Sequence, residues 1–105
     1  MQNNSATQIL TPMRLDRILK ELGFQNARLR RNHGHGYMMF EGTDQKSGKP
    51  LVNIIDHDSG VTNYLLKIKA ALKDKGIHSF SDADLDYHVP YPCWLYVSVD
   101  AFKLK

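Results

Sequence analysis

Two amphipathic segments that stop at the same kind of dipeptide frame this chain. After Thr11-Pro12 the apolar residues Leu15, Ile18, Leu19 and Leu22 recur on one helical face, with Arg14, Arg17, Lys20 and Glu21 on the other, and the run ends at Gly23-Phe24. Proline suits the first helical position because its fixed φ is already helical and its missing N–H has no intrahelical role there. Glycine followed by a hydrophobic residue suits the end, where a left-handed residue closes the last turn. The pattern returns from Thr62 to Lys75, with Leu65, Ile68 and Leu72 inward and Lys67, Lys69, Lys73 and Lys75 largely outward, and it ends at Gly76-Ile77. The periodicity predicts helices over residues 12–22 and 62–75.

Each helix must bury its apolar stripe against another layer. Three segments between them read as strands. Phe24–Arg31 alternates weakly with outward arginines, Tyr37–Glu41 is apolar and of strand length, and Leu51–Ile55 is rich in β-branched residues. Turn-forming residues separate the last two, with Ser47-Gly48 as the expected tip. The expected fold class is α+β: an α-β-β-β-α core over residues 12–77, an antiparallel meander with both helices on one face. Residues 1–11 read as a flexible N-terminal arm. Residues 78–105 read as an acidic and aromatic C-terminal extension packed on the same domain. Within it, Cys93 to Val99 is a strand, and Asp82, Asp84 and Asp86 alternate at strand period. Ser81-Asp82-Ala83-Asp84 also fits a helix-starting capping box, and both readings stay open.

Length and composition narrow the class. A chain of 105 residues with 42% hydrophobic and 24% charged residues is one domain of ordinary globular make-up. No run is long and apolar enough for a membrane span, and the first ten residues lack the order of a signal peptide, so the expected location is the cytoplasm. The single cysteine, Cys93, excludes an internal disulfide and a cysteine zinc site, and its apolar neighbours predict a small buried hydrophobe.

The net charge of +3 is unevenly spread. Residues 1–75 hold twelve Lys and Arg against seven Asp and Glu, whereas residues 76–105 hold two against four. A basic body with an acidic appendix points to a nucleic acid or another polyanion as partner for the body.

The residues that could carry chemistry gather around His33-Gly34-His35-Gly36. Glycines beside a histidine permit close approach of a ligand backbone, and an imidazole titrates where a general acid or base is needed. Arg28, Arg30 and Arg31 precede it and can grip phosphates bidentately. The bland alternative is a histidine ending a strand at a turn. His33 and His35 with Asp56, His57 and Asp58 could also suggest a metal, but the spacing carries no metal signature and none is assigned. No cofactor-binding motif occurs. Lys67, Lys69 and Lys73 join the arginines and His35 as candidate nucleic-acid contacts. The acidic run at 82–86 reads as a charged strand edge that discourages aggregation.

The order of helix, Gly-Phe, arginine-bearing segment, histidine, aromatic strand, β-branched strand and lysine-rich helix resembles the HicA (YcfA-like) family of mRNA-interferase toxins. Met13–Leu22 with Gly23-Phe24 is similar to the family's first helix, and Leu65–Ile77 to its last. Arg31-Asn32-His33-Gly34 occupies the stretch of the family's Gly-Ser-His-His motif, with His33 at the place of the catalytic histidine. Val52–His57 is similar to its third strand. The resemblance covers roughly residues 13–77. It implies a double-stranded-RNA-binding-domain-like fold, a metal-independent endoribonuclease with His33 as general base, and a cognate antitoxin protein as partner. Two other readings stay open. One is a non-catalytic module that binds double-stranded RNA or DNA. The other is a small phage- or plasmid-type inhibitor that binds a host protein, to which the aromatic 87–96 segment would suit.

Overall fold

The computed structural model describes residues 11–85 and 92–98. Helix α1 spans Pro12–Glu21, and the Thr11 hydroxyl accepts the Arg14 N–H at its start. Its end is closed by two bonds, Gly23 N–H to Lys20 O and Phe24 N–H to Leu19 O, with Gly23 at φ +94°. Helix α2, Tyr64–Asp74, ends in the same way, through Gly76 N–H to Lys73 O and Ile77 N–H to Leu72 O. In both cases the hydrophobic residue after the glycine folds back: Ile77 is buried in the core and Phe24 packs against it. The sequence expectation for the two helices holds to within two residues at each end.

Strands β1 (Gly36–Thr43) and β2 (Pro50–His57) form an antiparallel hairpin, paired from Gly36↔His57 to Thr43↔Pro50. After α2 come β3 (Ser79–Ser81), a single turn α3 (Asp82–Leu85) and β4 (Leu95–Ser98). Strand β4 lies between β2 and β3, antiparallel to both, so the sheet order is β1-β2-β4-β3. The fold class is α+β, as the mixed periodicities predict, and the described part of the 78–105 segment contributes two of the four strands. With the single-turn α3 set aside, the connectivity is α-β-β-α-β-β. Moving β4 ahead of α1 would turn it into the β-α-β-β-α-β order of ferredoxin-like domains.

Alternation along the strands sorts the side chains onto two faces. Tyr37, Val52, Ile54, Leu95 and Val97 share a fully buried core with Leu15 and Leu19 of α1 and Leu65, Ile68 and Leu72 of α2. Both helices therefore cover one face, as expected. The opposite face carries Met38, Phe40, Asn53, Ile55, Phe80 and Tyr96 and is covered by no described helix.

The third strand expected over 24–31 does not form. Asn26 makes one isolated bridge to Tyr37, and in the parallel sense, whereas a meander needs an antiparallel ladder. The cause is local side-chain bonding that competes with the ladder. The Asn26 carboxamide oxygen accepts the Arg28 N–H at 2.8 Å, and the Asn32 side chain donates to Asn26 O at 2.7 Å, curling the chain into a 3-10 turn at Arg30–Asn32. The same Asn26 side chain donates to Asp16 Oδ1, where the Tyr37 hydroxyl also donates, so α1, this segment and β1 are fastened at one carboxylate.

Two further expectations are corrected. Cys93 is exposed, because it lies at the bend before β4, where its N–H is taken by the Asp82 carboxylate. The acidic residues are caps, not a strand ladder. Asp84 accepts the Ser81 N–H while Ser81 Oγ accepts the Asp84 N–H, the reciprocal box expected from the sequence. Residues 1–10 of the expected arm, residues 86–91 with Asp86 and the start of the aromatic stretch, and residues 99–105 with the end of the expected 93–99 strand lie outside the described residues. No described helix is long and apolar enough to cross a membrane.

Candidate functional site

The hairpin's first pair, Gly36↔His57, brings two loops side by side: residues 33–35 before β1 and residues 58–63 after β2. Gly36 is required here. A Cβ on it would lie 1.9 Å from Gln25 O, which accepts the Tyr37 N–H. The Tyr64 hydroxyl meets the same Gln25 backbone, accepting its N–H at 3.1 Å, and so ties α2 to this corner. Among the described residues, every non-glycine with positive φ belongs to these loops: His33 (52°), Asp58 (53°) and Asn63 (57°). Left-handed backbone of this kind is sparsely populated and gathers at sites where the surrounding structure imposes it.

Two histidines clasp the loops together. His57 Nδ1 is 2.6 Å from Gly34 O, and His35 Nδ1 is 2.7 Å from Asp58 O. A carbonyl oxygen only accepts, so in each ring Nδ1 carries the hydrogen. In the neutral form each Nε2 then holds the lone pair, a fixed orientation that suits a proton acceptor. Both rings are exposed, and the Asp58 carboxylate stands 3.6 Å from His35 Nδ1. His33 is different. It caps the 3-10 turn with its backbone N–H on Arg30 O, its side chain is exposed, and no hydrogen bond orients its ring among the described residues.

The expected cations occupy three separate places. Arg28 reaches over the sheet edge, its guanidinium carbon 4.9 Å above the centre of the Phe40 ring. It also lines, with Pro12, Met13, Asp16 and Phe40, a groove of about 460 Å³ between α1 and β1. Arg30 and Arg31 are exposed on the 3-10 turn beside His33, with Arg31 facing Lys20 across a smaller groove. Lys67, Lys69 and Lys73 lie along α2, which is the layer on the other side of the sheet. Lys67 donates to Thr62 O, Lys69 is bound to Asp84 at 2.6 Å, and Lys73 is exposed. The structure thus joins His33, His35, Arg30 and Arg31 at one corner and leaves the lysines apart from it. No three potential metal ligands come together among the described residues.

Sequence reasoning gave His57 only to the discarded metal set. The signal for its placement was strand parity: two residues beyond Ile55, it points to the same face as Asn53 and Ile55. No family model, curated protein or solved structure matches this chain.

Proposed function

We propose that this is an RNA-binding domain whose histidine corner carries out metal-independent cleavage of the RNA backbone. The observation that supports it most is the reciprocal clasp, in which His35 and His57, both exposed, each spend Nδ1 on a neighbouring carbonyl and leave Nε2 without that bond. One neutral imidazole would take the 2′-hydroxyl proton as the 2′-oxygen bonds to phosphorus. A second, as imidazolium, would protonate the departing 5′-oxygen, leaving a 2′,3′-cyclic phosphate and a 5′-hydroxyl. Arg30 and Arg31 stand beside this corner to balance charge on the phosphate. The resemblance to HicA assigns the base to His33, and the ring orientations favour His57 and His35.

The test is cleavage of a labelled RNA by the wild type and by His33→Ala, His35→Ala and His57→Ala, with a chelator present. Loss of about 10²–10⁴ in rate in one or two variants, with binding retained, names the acid and base. Cleavage unchanged in all three, or none by the wild type, ends the enzymatic reading. Binding without cleavage is a second reading, favoured by the distance of the α2 lysines from the histidines, and a salt-sensitive complex with uncut RNA would establish it.

A further inference from the structure

We infer that the sheet face on which no described helix packs is a stacking platform for single-stranded RNA. The inference rests on the RNA-binding reading above and gives it a substrate class.

The register places one row of side chains across all four strands. Phe40 of β1 pairs with Asn53 of β2, Asn53 with Tyr96 of β4, and Tyr96 with Phe80 of β3. Continuing the β2–β4 register sets Trp94 opposite Ile55, one step along the same face. Four aromatic side chains therefore share a surface that also bears Met38 and Ile55. Phe40 is 39% and Trp94 40% exposed, while Phe80 and Tyr96 lean together with centroids 5.2 Å apart. Neighbouring strands are about 4.8 Å apart, so Phe40 and Tyr96 stand roughly 10 Å from each other on either side of Asn53. That separation accommodates bases splayed out singly, and a paired duplex cannot offer its base faces to such rings.

Charge and polarity select the occupant. On the described strands no residue of this face is acidic; Glu41 and Asp56 fall on the other parity. Arg28 stacks on the exposed side of Phe40, where a planar cation extends the ring and can also meet a phosphate. Asn53, in the middle of the row, has a buried Oδ1 with no hydrogen-bond partner among the described residues, and its carboxamide is held over Gly42, where a Cβ would lie 3.0 Å from Nδ2. An apolar face rimmed by an arginine and centred on a carboxamide suits nucleobases and phosphates, and the Asp82 carboxylate at its Trp94 end is engaged by the Cys93 and Trp94 N–H groups. His57 lies on this face as well, two rows from Asn53, so a strand lying along β2 would run from the rings to the histidine corner.

Trp94 is the only tryptophan and makes the test direct. An eight-nucleotide oligouridylate and an RNA duplex of equal length are titrated into the full chain while tryptophan fluorescence is followed. Phe40→Ala, Tyr96→Ala and Phe40→Tyr are compared with the wild type, with circular dichroism confirming each fold. The single strand should quench Trp94 and bind tighter than the duplex. Each alanine variant should weaken it by about tenfold or more, and Phe40→Tyr should retain binding. Single-strand binding that neither quenches Trp94 nor weakens in the alanine variants overturns the platform and leaves the RNA reading standing. Preference for the duplex does the same. No binding of either RNA ends both. Self-association of the wild type that Phe40→Ala and Tyr96→Ala abolish would instead make this face an interface between copies, and would also overturn the proposal.

Discussion

The two faces of the sheet are made by alternate residues of the same strands, yet they differ in almost everything else. On one, Tyr37, Val52, Ile54, Leu95 and Val97 disappear under two helices. On the other, Met38, Phe40, Ile55, Tyr96 and Phe80 stay partly exposed, and the polar Asn53 sits among them. Size and hydrophobicity do not separate the sets, since both hold isoleucine, tyrosine and other large apolar side chains. The covered face is distinguished by what faces it, namely the leucine and isoleucine stripes of α1 and α2. The covered face thus holds the domain together, and no described helix packs on the other.

Neighbouring isoleucines break that comparison most sharply. Ile54 is fully buried and Ile55 only partly so, one residue apart in β2. Ile54→Ala should cost about 2–5 kcal/mol, the range for emptying a well-packed core site, and it should lower the denaturation midpoint accordingly. Ile55→Ala, deleting the same atoms from the open face, should cost well under half of that in the same urea titration. Equal losses would mean that the second face is as tightly packed as the first.

How much of this could be read from the sequence follows from how local each cause is. Both helices are announced within their own segments, by Thr11-Pro12 at one start and by Gly23-Phe24 and Gly76-Ile77 at the ends. The β2 strand is announced by its β-branched run. The segment 24–31 misled because its faint alternation was weaker than two asparagine side chains, Asn26 and Asn32, which bond backbone a few residues away. The placement of β4 between β2 and β3 depends on pairing between residues more than forty apart, and no window of sequence carries that. At the candidate site, the His33–Gly36 motif was legible as a cluster. The clasp between residues 34–35 and 57–58 was not, because it exists only once β1 and β2 have paired.

Two tyrosines sharpen the comparison at a smaller scale. Tyr37, on the covered face, donates to Asp16 Oδ1 at 2.5 Å, and burial and that carboxylate push its phenol far above the usual range. Burial also works against ionisation of Asp16, but hydrogen bonds from Tyr37, Lys20 and Asn26 outweigh it and hold the carboxyl below its ordinary value near 3.8. Tyr37→Phe leaves a partly buried acceptor short of a donor and should cost about 1–3 kcal/mol. Tyr96→Phe on the open face should stay within about 0.5 kcal/mol. The pH dependence separates them further. A depressed folded pKa stabilises the protein above the unfolded value, and that contribution is lost as pH falls through the folded pKa. Wild type and Tyr96→Phe should therefore lose stability below about pH 4. Tyr37→Phe should show a flatter acid limb in thermal melts taken across that window.

The smallest effect belongs to neither face but to the outer surface of α2, where Lys69 meets Asp84. Lys69 contributes one exposed ion pair, whereas Asp84 contributes that pair and the return bond of the α3 capping box. The Lys69 ammonium and the Ser81 N–H hold the Asp84 carboxyl below its ordinary value. Lys69→Ala should change stability by less than about 1 kcal/mol, as exposed pairs do. Asp84→Ala should cost somewhat more, since a lost cap adds about 0.5–2 kcal/mol. The same pair bears on RNA. A lysine already matched by a carboxylate releases little further counterion when a phosphate approaches, so Lys69→Ala should barely alter the salt dependence of binding. Arg28→Ala, which removes a cation that has no ion pair among the described residues, should flatten that slope by about one unit. If Lys69→Ala flattens it as much as Arg28→Ala, the helical lysines form the RNA contact and the open face of the sheet does not.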